Sequence, residues 1–277
     1  PFLVRPSLLG RFGGHFSRAI SRAPWFRLLP FLVFFRKELH SIFTSDLTAA
    51  GGDLLEVGCG PTVYTAMAAS LAFKSIVMAD LVPANIREVR KWIDAAPDAK
   101  DWTLFAERQA ALEGADNLEE GAGMVIARTR RVVREVTLCN FAEPGVFLDH
   151  RPGQQFDAVI ACLCLDSGSA DQETHRRATR NLAALLKPGG VLLVCGVTGN
   201  SYYTLSDRRF PSLVSCENSI KDSLFQAGLT VRRWVAEESP ELMRSYLNYD
   251  YSYVVVASKG TMDATSIGSQ ASVSGAN

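Results

Sequence analysis

Between Asp53 and Lys259 the chain alternates short apolar runs with segments whose apolar residues recur at helical spacing. This alternation predicts a mostly parallel sheet with helices on both faces. Seven runs fit strands, and they read DLLEVG, SIVMAD, VTLCNF, FDAVIACLCLD, VLLVCGV, TVRRWVAEE and SYVVVASK. The fourth run is too apolar for a half-exposed strand, so we place it at the centre of the sheet. The last two runs are predicted to pair antiparallel.

Helical spacing also predicts the segments between these strands. The helices are expected over VYTAMAASLAF, PANIREVRKWIDAA, DWTLFAERQAALEG, VIARTRRVVREV and DQETHRRATRNLAALLKPGG. Pro83 is expected in the first turn of the second helix. The polar, glycine-bearing GADNLEEGAGM is interpreted as a connection. The turn Lys187 to Gly190 is expected to close the last helix.

The two ends of the chain differ from this alternating centre. PWFRLLPFLVFF (Pro24 to Phe35) is the most apolar stretch, but its 12 residues contain Arg27 and Pro30. They fall short of the ~20 residues that a membrane span requires. We interpret the stretch as a helix packed on the domain, and residues 1–50 as a helical lid or extension. Residues 51–260 form the main predicted domain, and the small polar residues 261–277 predict a disordered tail.

Charge and cysteine content narrow the classes of function. Lys and Arg total 29 and Asp and Glu total 29, so no net charge attracts nucleic acid or an acidic membrane surface. The 47% hydrophobic content supports one sizeable core. The six cysteines form no CxxC pair, which predicts free thiols in a reducing compartment. We therefore expect a cytoplasmic monomer with neither a nucleic-acid nor a membrane partner.

A glycine-rich turn follows the first strand in the stretch DLLEVGCGPT. Gly58 and Gly60 allow a ligand to approach the backbone, and the helix that follows offers unpaired N–H groups. Asp80 ends the next strand about 20 residues later, where a carboxylate accepts both hydroxyls of a ribose. The pattern predicts a pocket for an adenosine-type cofactor.

Two cofactor classes share this design. A dinucleotide site needs a third glycine, but Pro61 to Tyr64 follow Gly60, so NAD fits poorly. Glu56 before the glycines, and LLKPGG ahead of a strand, are typical of S-adenosylmethionine-dependent methyltransferases. A Rossmann-type oxidoreductase and an α/β binding domain without catalysis stay open as alternatives.

Several longer segments, in the right order, carry a closer resemblance. They read GDLLEVGCGPTVY, ADLVPANIREVRKWI, DAAPDAKDW, LCLDSGSADQETHRRATRNLAALLKPGG and NSYYTLSDRRFPSL. From about Asp53 to Lys259 the chain resembles the family of nicotinamide, phenylethanolamine and indolethylamine N-methyltransferases. The resemblance implies a Rossmann-like class I methyltransferase fold and S-adenosylmethionine as cofactor. It also implies in-line methyl transfer to a small amine or N-heterocycle, without a metal or a covalent intermediate.

The same resemblance implies cofactor contacts at strand ends and the turns that follow them. The set comprises Glu56, Gly58, Cys59, Gly60, Tyr64, Asp80, Asn85, Asn140, Phe141, Cys162 and Asp166. In this assignment Asp80 and Asn85 serve the ribose. Asn140 and Phe141 flank the adenine, and Cys162 lies near the methionine portion. The family usually has other residues at Cys59, Asn140, Phe141 and Cys162.

Three members of this set have ordinary structural explanations as alternatives. Tyr64 fits a plain helix-face aromatic residue. Asn85 fits a solvated polar residue, and Asp166 fits a helix cap before SGSADQE.

The acceptor site is expected at Gly196, Asn200, Ser212 and Asp250. The nicotinamide enzyme has an anchoring aspartate at the position of Gly196, and the phenylethanolamine enzyme has glutamates where Gly199 and Asn200 stand here. Neither known anchor is present, so we expect poor activity on nicotinamide. Ser212 matches a substrate-contacting serine. Asp250 falls near an acidic position that the family uses for amines, or it caps the strand that follows. The bulk of the acceptor is expected to fill the space left at Gly196 and Gly199.

The N-terminus departs from the family, which closes its site with a tyrosine-rich segment. No tyrosine precedes Tyr64 in this sequence. Either aromatic residues of the first 26 positions form a different lid, or the site is left open and admits water. The main expectation is a working N-methyltransferase. The alternative is an S-adenosylmethionine-binding protein of the same family with little or no turnover.

Overall fold

The computed structural model describes residues 30–48, 51–205, 208–241 and 248–261. Its helices are α1 (Pro30–Phe43), α2 (Tyr64–Ala69), α3 (Pro83–Ile93), α4 (Thr103–Leu112), α5 (Leu118–Val132), α6 (Leu165–Gly168), α7 (Gln172–Ala184) and α8 (Glu217–Gln226). Its strands are β1 (Asp53–Val57), β2 (Ser75–Asp80), β3 (Val133–Leu138), β4 (Phe156–Cys162), β5 (Leu186–Val197), β6 (Tyr202–Leu205), β7 (Arg208–Pro211), β8 (Leu229–Glu238) and β9 (Tyr251–Lys259). None of the described helices combines the length and apolar character that crossing a membrane requires.

Seven of the described strands form one sheet in the order β3-β2-β1-β4-β5-β9-β8, and β6 pairs with β7 in a separate hairpin. The first five strands of that order are parallel, whereas β9 runs antiparallel to both of its neighbours. The predicted fold class is therefore confirmed. The central position of FDAVIACLCLD and the antiparallel pairing of the last two strands are also confirmed.

The sheet separates two apolar cores, with helices on both faces. Leu54 and Leu55 are adjacent on β1 and both fully buried, yet they belong to opposite cores. This is the alternation that a strand imposes on successive side chains. Helices α1 to α5 pack on one face, and α7 and α8 pack on the other.

Helix α1 is part of the first core rather than a separate layer. Phe35, Leu39 and Ile42 are fully buried on its inner face. On one flank, Glu38 pairs with Arg233 of β8 at 2.6 Å. The predicted packing of a helix from the N-terminal apolar stretch is confirmed, although this helix begins at Pro30 and continues to Phe43. Residues 24–29 of the predicted helix lie outside the described residues, as does the predicted tail from residue 262 onwards.

The interpretation of GADNLEEGAGM as a connection is wrong, because most of it forms the first part of α5. Asn117 caps this helix, and its Oδ1 accepts the N–H groups of Glu119 and Glu120. The glycine that suggested a loop is needed for packing. A Cβ on Gly121 would lie 2.8 Å from the Cβ atoms of both Ala110 and Ala115.

Two further boundaries differ from the prediction. The strand placed at VTLCNF lies earlier, at Val133–Leu138. The predicted turn Lys187 to Gly190 is an irregular part of β5, whose register against β4 shifts between Phe156 and Ala158. The bulge keeps the strand continuous where the sequence suggests an interruption.

Candidate functional site

The carboxyl ends of β1, β2, β4 and β5 meet at one edge of the sheet, which we call the site edge. In open α/β sheets this is the edge at which ligands bind. The predicted cofactor residues lie at or just beyond the ends of β1 to β4, and the predicted acceptor residues follow or face the end of β5. The sequence therefore brings both sets to the same edge.

The glycine turn after β1 has the backbone that its sequence predicts. Gly58 and Gly60 have φ of +67° and +59°, a region that other residues rarely adopt. A Cβ on Gly58 would lie 2.7 Å from the Cys164 Sγ, so the turn also packs closely on the residues after β4. Between the two glycines, the Cys59 N–H donates to Ala79 O at 3.1 Å. Buried Cys59 thereby ties the turn to the end of β2.

Asp80 lies at the end of β2 with its carboxylate turned toward this turn. Its Oδ2 accepts the Gly60 N–H at 2.9 Å, and its Oδ1 accepts the Val82 N–H at 2.8 Å and the Asn85 side chain at 3.0 Å. Burial raises the pKa of Asp80, and these donors oppose the rise. Asn85 is buried, so its interpretation as a solvated residue is wrong. Its Oδ1 is buried and has no described partner, so it remains available as an acceptor.

Glu56 is a buried acid within β1, 2% exposed, and its Oε2 has no hydrogen-bond partner among the described residues. Burial raises the pKa of Glu56 to about 8; the Thr65 hydroxyl opposes the rise, and the negative charge of Asp80 adds to it. A buried carboxyl group with an unpaired oxygen is suited to accept a hydrogen bond from a bound ligand.

Tyr64 begins α2, directly after the turn. Its hydroxyl lies 3.5 Å from the Cys162 Sγ at the end of β4, and its ring packs on Phe105 with centroids 5.8 Å apart. Burial raises the pKa of Tyr64 well above its usual value. The ring packs against the apolar core, as a helix-face aromatic residue does, and its polar end reaches the end of β4.

Asn140 and Phe141 follow β3 in a tight loop. The Asn140 Oδ1 accepts the Ala142 N–H at 3.1 Å, so this oxygen already has one partner. The ring of Phe141 packs so closely on Gly168 that a side chain there would collide with it. Phe141 thus packs on α6.

Asp166 lies inside α6, and the interpretation of Asp166 as a helix cap is wrong. Cys164 precedes that helix, and Asp171 caps the next one by accepting the Thr174 N–H. Burial raises the pKa of Asp166 to about 6, and Ser215 opposes the rise. Its Oδ1 has no hydrogen-bond partner among the described residues. Since Leu213 N–H donates to Asp166 O at 3.0 Å, this acid lies beside the acceptor residues.

The expectation of empty space at Gly196 and Gly199 is wrong. A Cβ on Gly196 would lie 2.6 Å from the Tyr253 Oη, because Tyr253 of β9 is its register partner and fills that space. A Cβ on Gly199 would lie 2.6 Å from the Asp250 Cγ. The carboxylate of Asp250 therefore takes the place of a side chain at residue 199.

The other acceptor residues border the same region. Asn200 is buried, and its Oδ1 has no described partner. Ser212 is half-buried, and its N–H donates to Ser201 O at 2.9 Å. The side chain of Asp250 does not cap β9, as the alternative interpretation proposed, because its carboxylate packs against Gly199. The backbone of Asp250 bonds Thr198 and Ser239 instead.

Sequence reasoning missed Tyr253 as a residue of this site. Its hydroxyl is buried without a described partner, and its ring stacks on Trp234 at 5.0 Å and 4°. A glycine in one strand and a large aromatic residue in a later one form a packing pair only once their register is known.

Comparison with known proteins identifies the family. The sequence matches the NNMT/PNMT/TEMT family over residues 21–260. The chain belongs to this family. Nicotinamide N-methyltransferase of Homo sapiens is 33% identical over 224 residues, which cover 80% of this chain and 82% of that protein. Indolethylamine N-methyltransferase of Mus musculus is 28% identical over 225 residues, 81% of this chain and 83% of that protein. Phenylethanolamine N-methyltransferase of Homo sapiens is 28% identical over 185 residues, 66% and 64% of the two chains.

Solved structures support the fold. N-methyltransferase NodS from Bradyrhizobium japonicum, in complex with S-adenosyl-L-homocysteine, covers 89% of this chain and 97% of its own with a TM-score of 0.54 and 15% identity. Magnesium protoporphyrin IX methyltransferase from Synechocystis covers 93% and 96%, with a TM-score of 0.56 and 12% identity. At these identities the likeness concerns the fold alone.

Membership in the family confirms the predicted class of reaction and cofactor: the protein is an S-adenosylmethionine-dependent N-methyltransferase. The residues at the site edge fit that cofactor. Glu56 Oε2 and Asn85 Oδ1 are buried acceptors without described partners, and the cofactor's ribose hydroxyls and ammonium group are donors. The left-handed glycines also allow close approach to the turn.

Proposed function

We propose that this N-methyltransferase acts on a small alkylamine or a similarly cationic N-heterocycle, in preference to nicotinamide. One observation carries the proposal: the carboxylate of Asp250 lies where a side chain at residue 199 would lie. The phenylethanolamine enzyme has an acid at that point in its sequence. In this chain the acid comes instead from the residue before β9, so the carboxylate is supplied by a different part of the chain.

The packing at Gly196 supports the second half of the proposal. Nicotinamide offers amide N–H groups, and a buried acceptor is needed to pair with them. At this position the fully buried ring of Tyr253 fills the space of a carboxylate. A neutral carboxamide therefore lacks the anchor that the related enzyme supplies.

A second acid lies close to the first through shared backbone. The Gly199 N–H donates to Ser215 O at 3.0 Å, and the Ser215 side chain opposes the rise in the pKa of the Asp166 carboxyl group. The two carboxyl groups of Asp166 and Asp250 thus flank the Gly199–Ser215 contact. An ammonium group placed there has acceptors on two sides.

These residues are suited to the needs of methyl transfer. When bound, S-adenosylmethionine supplies an electrophilic methyl group, and only an unprotonated nitrogen can attack it. Asp250 holds and orients the amine, and ionised Asp166 accepts the proton that an ammonium acceptor must lose. Because burial places the pKa of Asp166 at about 6, this carboxyl group is largely ionised near neutral pH. Orientation and exclusion of water supply most of the remaining acceleration.

We also propose that residues 1–50, including α1, cover the site of a methyltransferase domain at 51–260, and that the protein is a cytoplasmic monomer. The site assignments given above for the cofactor and the acceptor are part of the same proposal. Support for the compartment comes from the six free cysteines, which suit a reducing environment. Zero net charge supports the lack of a nucleic-acid partner.

A panel of acceptors tests the proposed preference. Transfer of a labelled methyl group is measured as kcat/KM for phenylethylamine, tryptamine, quinoline and nicotinamide. We expect one of the amines to give the highest value and nicotinamide the lowest. Nicotinamide as the best acceptor would overturn the preference. Calorimetric binding of S-adenosylmethionine without transfer to any acceptor would instead support a binding protein with little turnover.

A further inference from the structure

Helix α1 runs from the site edge toward the opposite edge of the sheet. Near its start, the ring of Phe31 meets Tyr249 at 6.1 Å, next to the acceptor residue Asp250. At its end, Phe43 meets Phe73 at 5.5 Å, just before β2 begins. Residues early in α1 are therefore the ones that lie near bound ligands.

Helix α4 runs alongside α1 in the same direction. At the site edge its Phe105 packs on Tyr64. One turn later, Gln109 Nε2 lies 3.4 Å from the His40 Nδ1 of α1. Arg36 precedes His40 by one turn of α1, as Phe105 precedes Gln109 by one turn of α4. This register places Arg36 level with the Tyr64–Phe105 pair.

Arg36 is a half-buried cation in an unfavourable environment. Its Nε is buried without a hydrogen-bond partner among the described residues. Burial lowers the pKa of Arg36 to about 10, and the positive charge of Arg108 on α4 lowers it further. Among the described residues, Arg36 forms no ion pair with a carboxylate. A half-buried guanidinium group without an anionic partner is stabilised strongly by an anionic ligand. A carboxylate matches the geometry of its planar donors.

We propose that Arg36 binds the α-carboxylate of the methionine portion of the cofactor. The proposal rests on the use of S-adenosylmethionine and not on the choice of acceptor. The Tyr64 hydroxyl reaches Cys162 at the strand end expected near that portion. The register of α1 against α4 puts Arg36 level with the same ring. Residues 1–63 of this sequence contain no tyrosine. Arg36 therefore supplies a cation for the methionine end of the cofactor.

Calorimetry with two ligands tests the role without any acceptor. S-adenosylhomocysteine has the carboxylate, and its decarboxylated analogue lacks it. In Arg36→Leu we expect the Kd for S-adenosylhomocysteine to rise about tenfold to a hundredfold, because charge-assisted hydrogen bonds are lost. The Kd for the analogue should stay within about twofold, since it never makes those bonds. Arg36→Lys should retain part of the affinity. Lys37→Leu, which removes an exposed charge from the same helix, is the matched control and should change neither value.

Three results would overturn the assignment. Equal losses for both ligands in Arg36→Leu indicate a structural role for the residue. Equal affinities of the wild type for both ligands show that the carboxylate has no partner, even if no variant folds. An effect of Arg36→Leu confined to the KM of a carboxylate-bearing acceptor assigns the cation to the acceptor instead. Failure of the acceptor preference, by contrast, leaves all these binding values unchanged.

Discussion

The hydroxyl of Tyr253 lies 2.6 Å from the point where a Cβ on Gly196 would be. Tyr253 is fully buried, and its ring stacks on Trp234 from the other side. It therefore has no room to move away from β5. The glycine at position 196 is required by packing, and the acceptor gains no volume there.

Replacing this glycine should destabilise the fold without creating a nicotinamide site. Gly196→Asp forces a charged side chain into a filled, buried position, and overpacking alone costs about 1–3 kcal/mol. We expect a clear fall in the thermal unfolding midpoint and no gain in kcat/KM for nicotinamide. In Gly196→Ala, which adds one methyl group without charge, the unfolding midpoint should fall less than in Gly196→Asp. A Gly196→Asp protein with the wild-type midpoint and new activity on nicotinamide would contradict the packing.

Asp80 should control the affinity for the cofactor. Asp80→Ala removes a carboxylate that holds the Gly60 and Val82 N–H groups and that is expected to bind the ribose hydroxyls. Since each charge-assisted hydrogen bond contributes about 1.5–3 kcal/mol, we expect the Kd for S-adenosylhomocysteine to rise about tenfold or more. Calorimetry measures this value, with exposed Asp116→Ala as control. An unchanged Kd in Asp80→Ala would show that the pocket is assigned wrongly.

Asp250 should act on charged acceptors only. In Asp250→Asn we expect KM for an alkylamine to rise about fivefold to tenfold, because an exposed carboxylate gives a modest ion pair that a bound ligand strengthens. KM for neutral quinoline and the Kd for S-adenosylhomocysteine should not change. Steady-state kinetics separate the cases, and exposed Glu241→Gln is the control. Equal effects on the amine and on quinoline would refute a role in holding charge.

Glu56 should make the ligand-free protein less stable as the pH rises. Its pKa in the folded protein is about 8, above the ordinary value of 4.5, so the folded state retains a proton that the unfolded chain releases. The stabilisation is complete below the unfolded pKa and is lost as the pH rises through the folded pKa. The steepest loss is about 1.4 kcal/mol per pH unit.

Urea unfolding between about pH 5 and pH 9 measures this effect through the linkage between protonation and stability. Glu56→Gln stays neutral at every pH, so its free energy of unfolding should fall less steeply than that of the wild type. Asp80 and Asp166 also have raised pKa values, but both remain in the variant, so the difference between the two profiles reports Glu56 together with its interaction with Asp80. If the free energies of unfolding of the wild type and of Glu56→Gln fall in parallel with pH, Glu56 is ionised in the folded protein.

The sheet and the glycine turn could be predicted from sequence because their signals are local. The apolar run from Ala158 to Leu165 indicates a central strand, and Gly58 and Gly60 indicate a left-handed turn wherever the rest of the chain lies. The start of α5 could not be predicted in this way. Gly121 is a helix breaker by propensity, and only its contact with Ala110 in α4 explains its place inside a helix.

The acceptor side of the site was harder to predict because it depends on register. Gly196 and Tyr253 are opposite each other only in the antiparallel pairing of β5 with β9. Likewise, the carboxylate of Asp250 reaches Gly199 because Asp250 directly precedes β9, which pairs with β5. A one-residue change in this pairing would send Tyr253 to the other face of the sheet.

The last of the described strands, β9, is inserted between β5 and β8. During synthesis, the segment from β1 to β4 with its glycine turn leaves the ribosome long before β9 does. Strand β8 has no neighbour in the sheet until β9 arrives, and neither Asp250 nor Tyr253 exists until then. The nascent protein can therefore assemble its nucleoside-binding half early, but it becomes selective for an acceptor only after β9 has been synthesised.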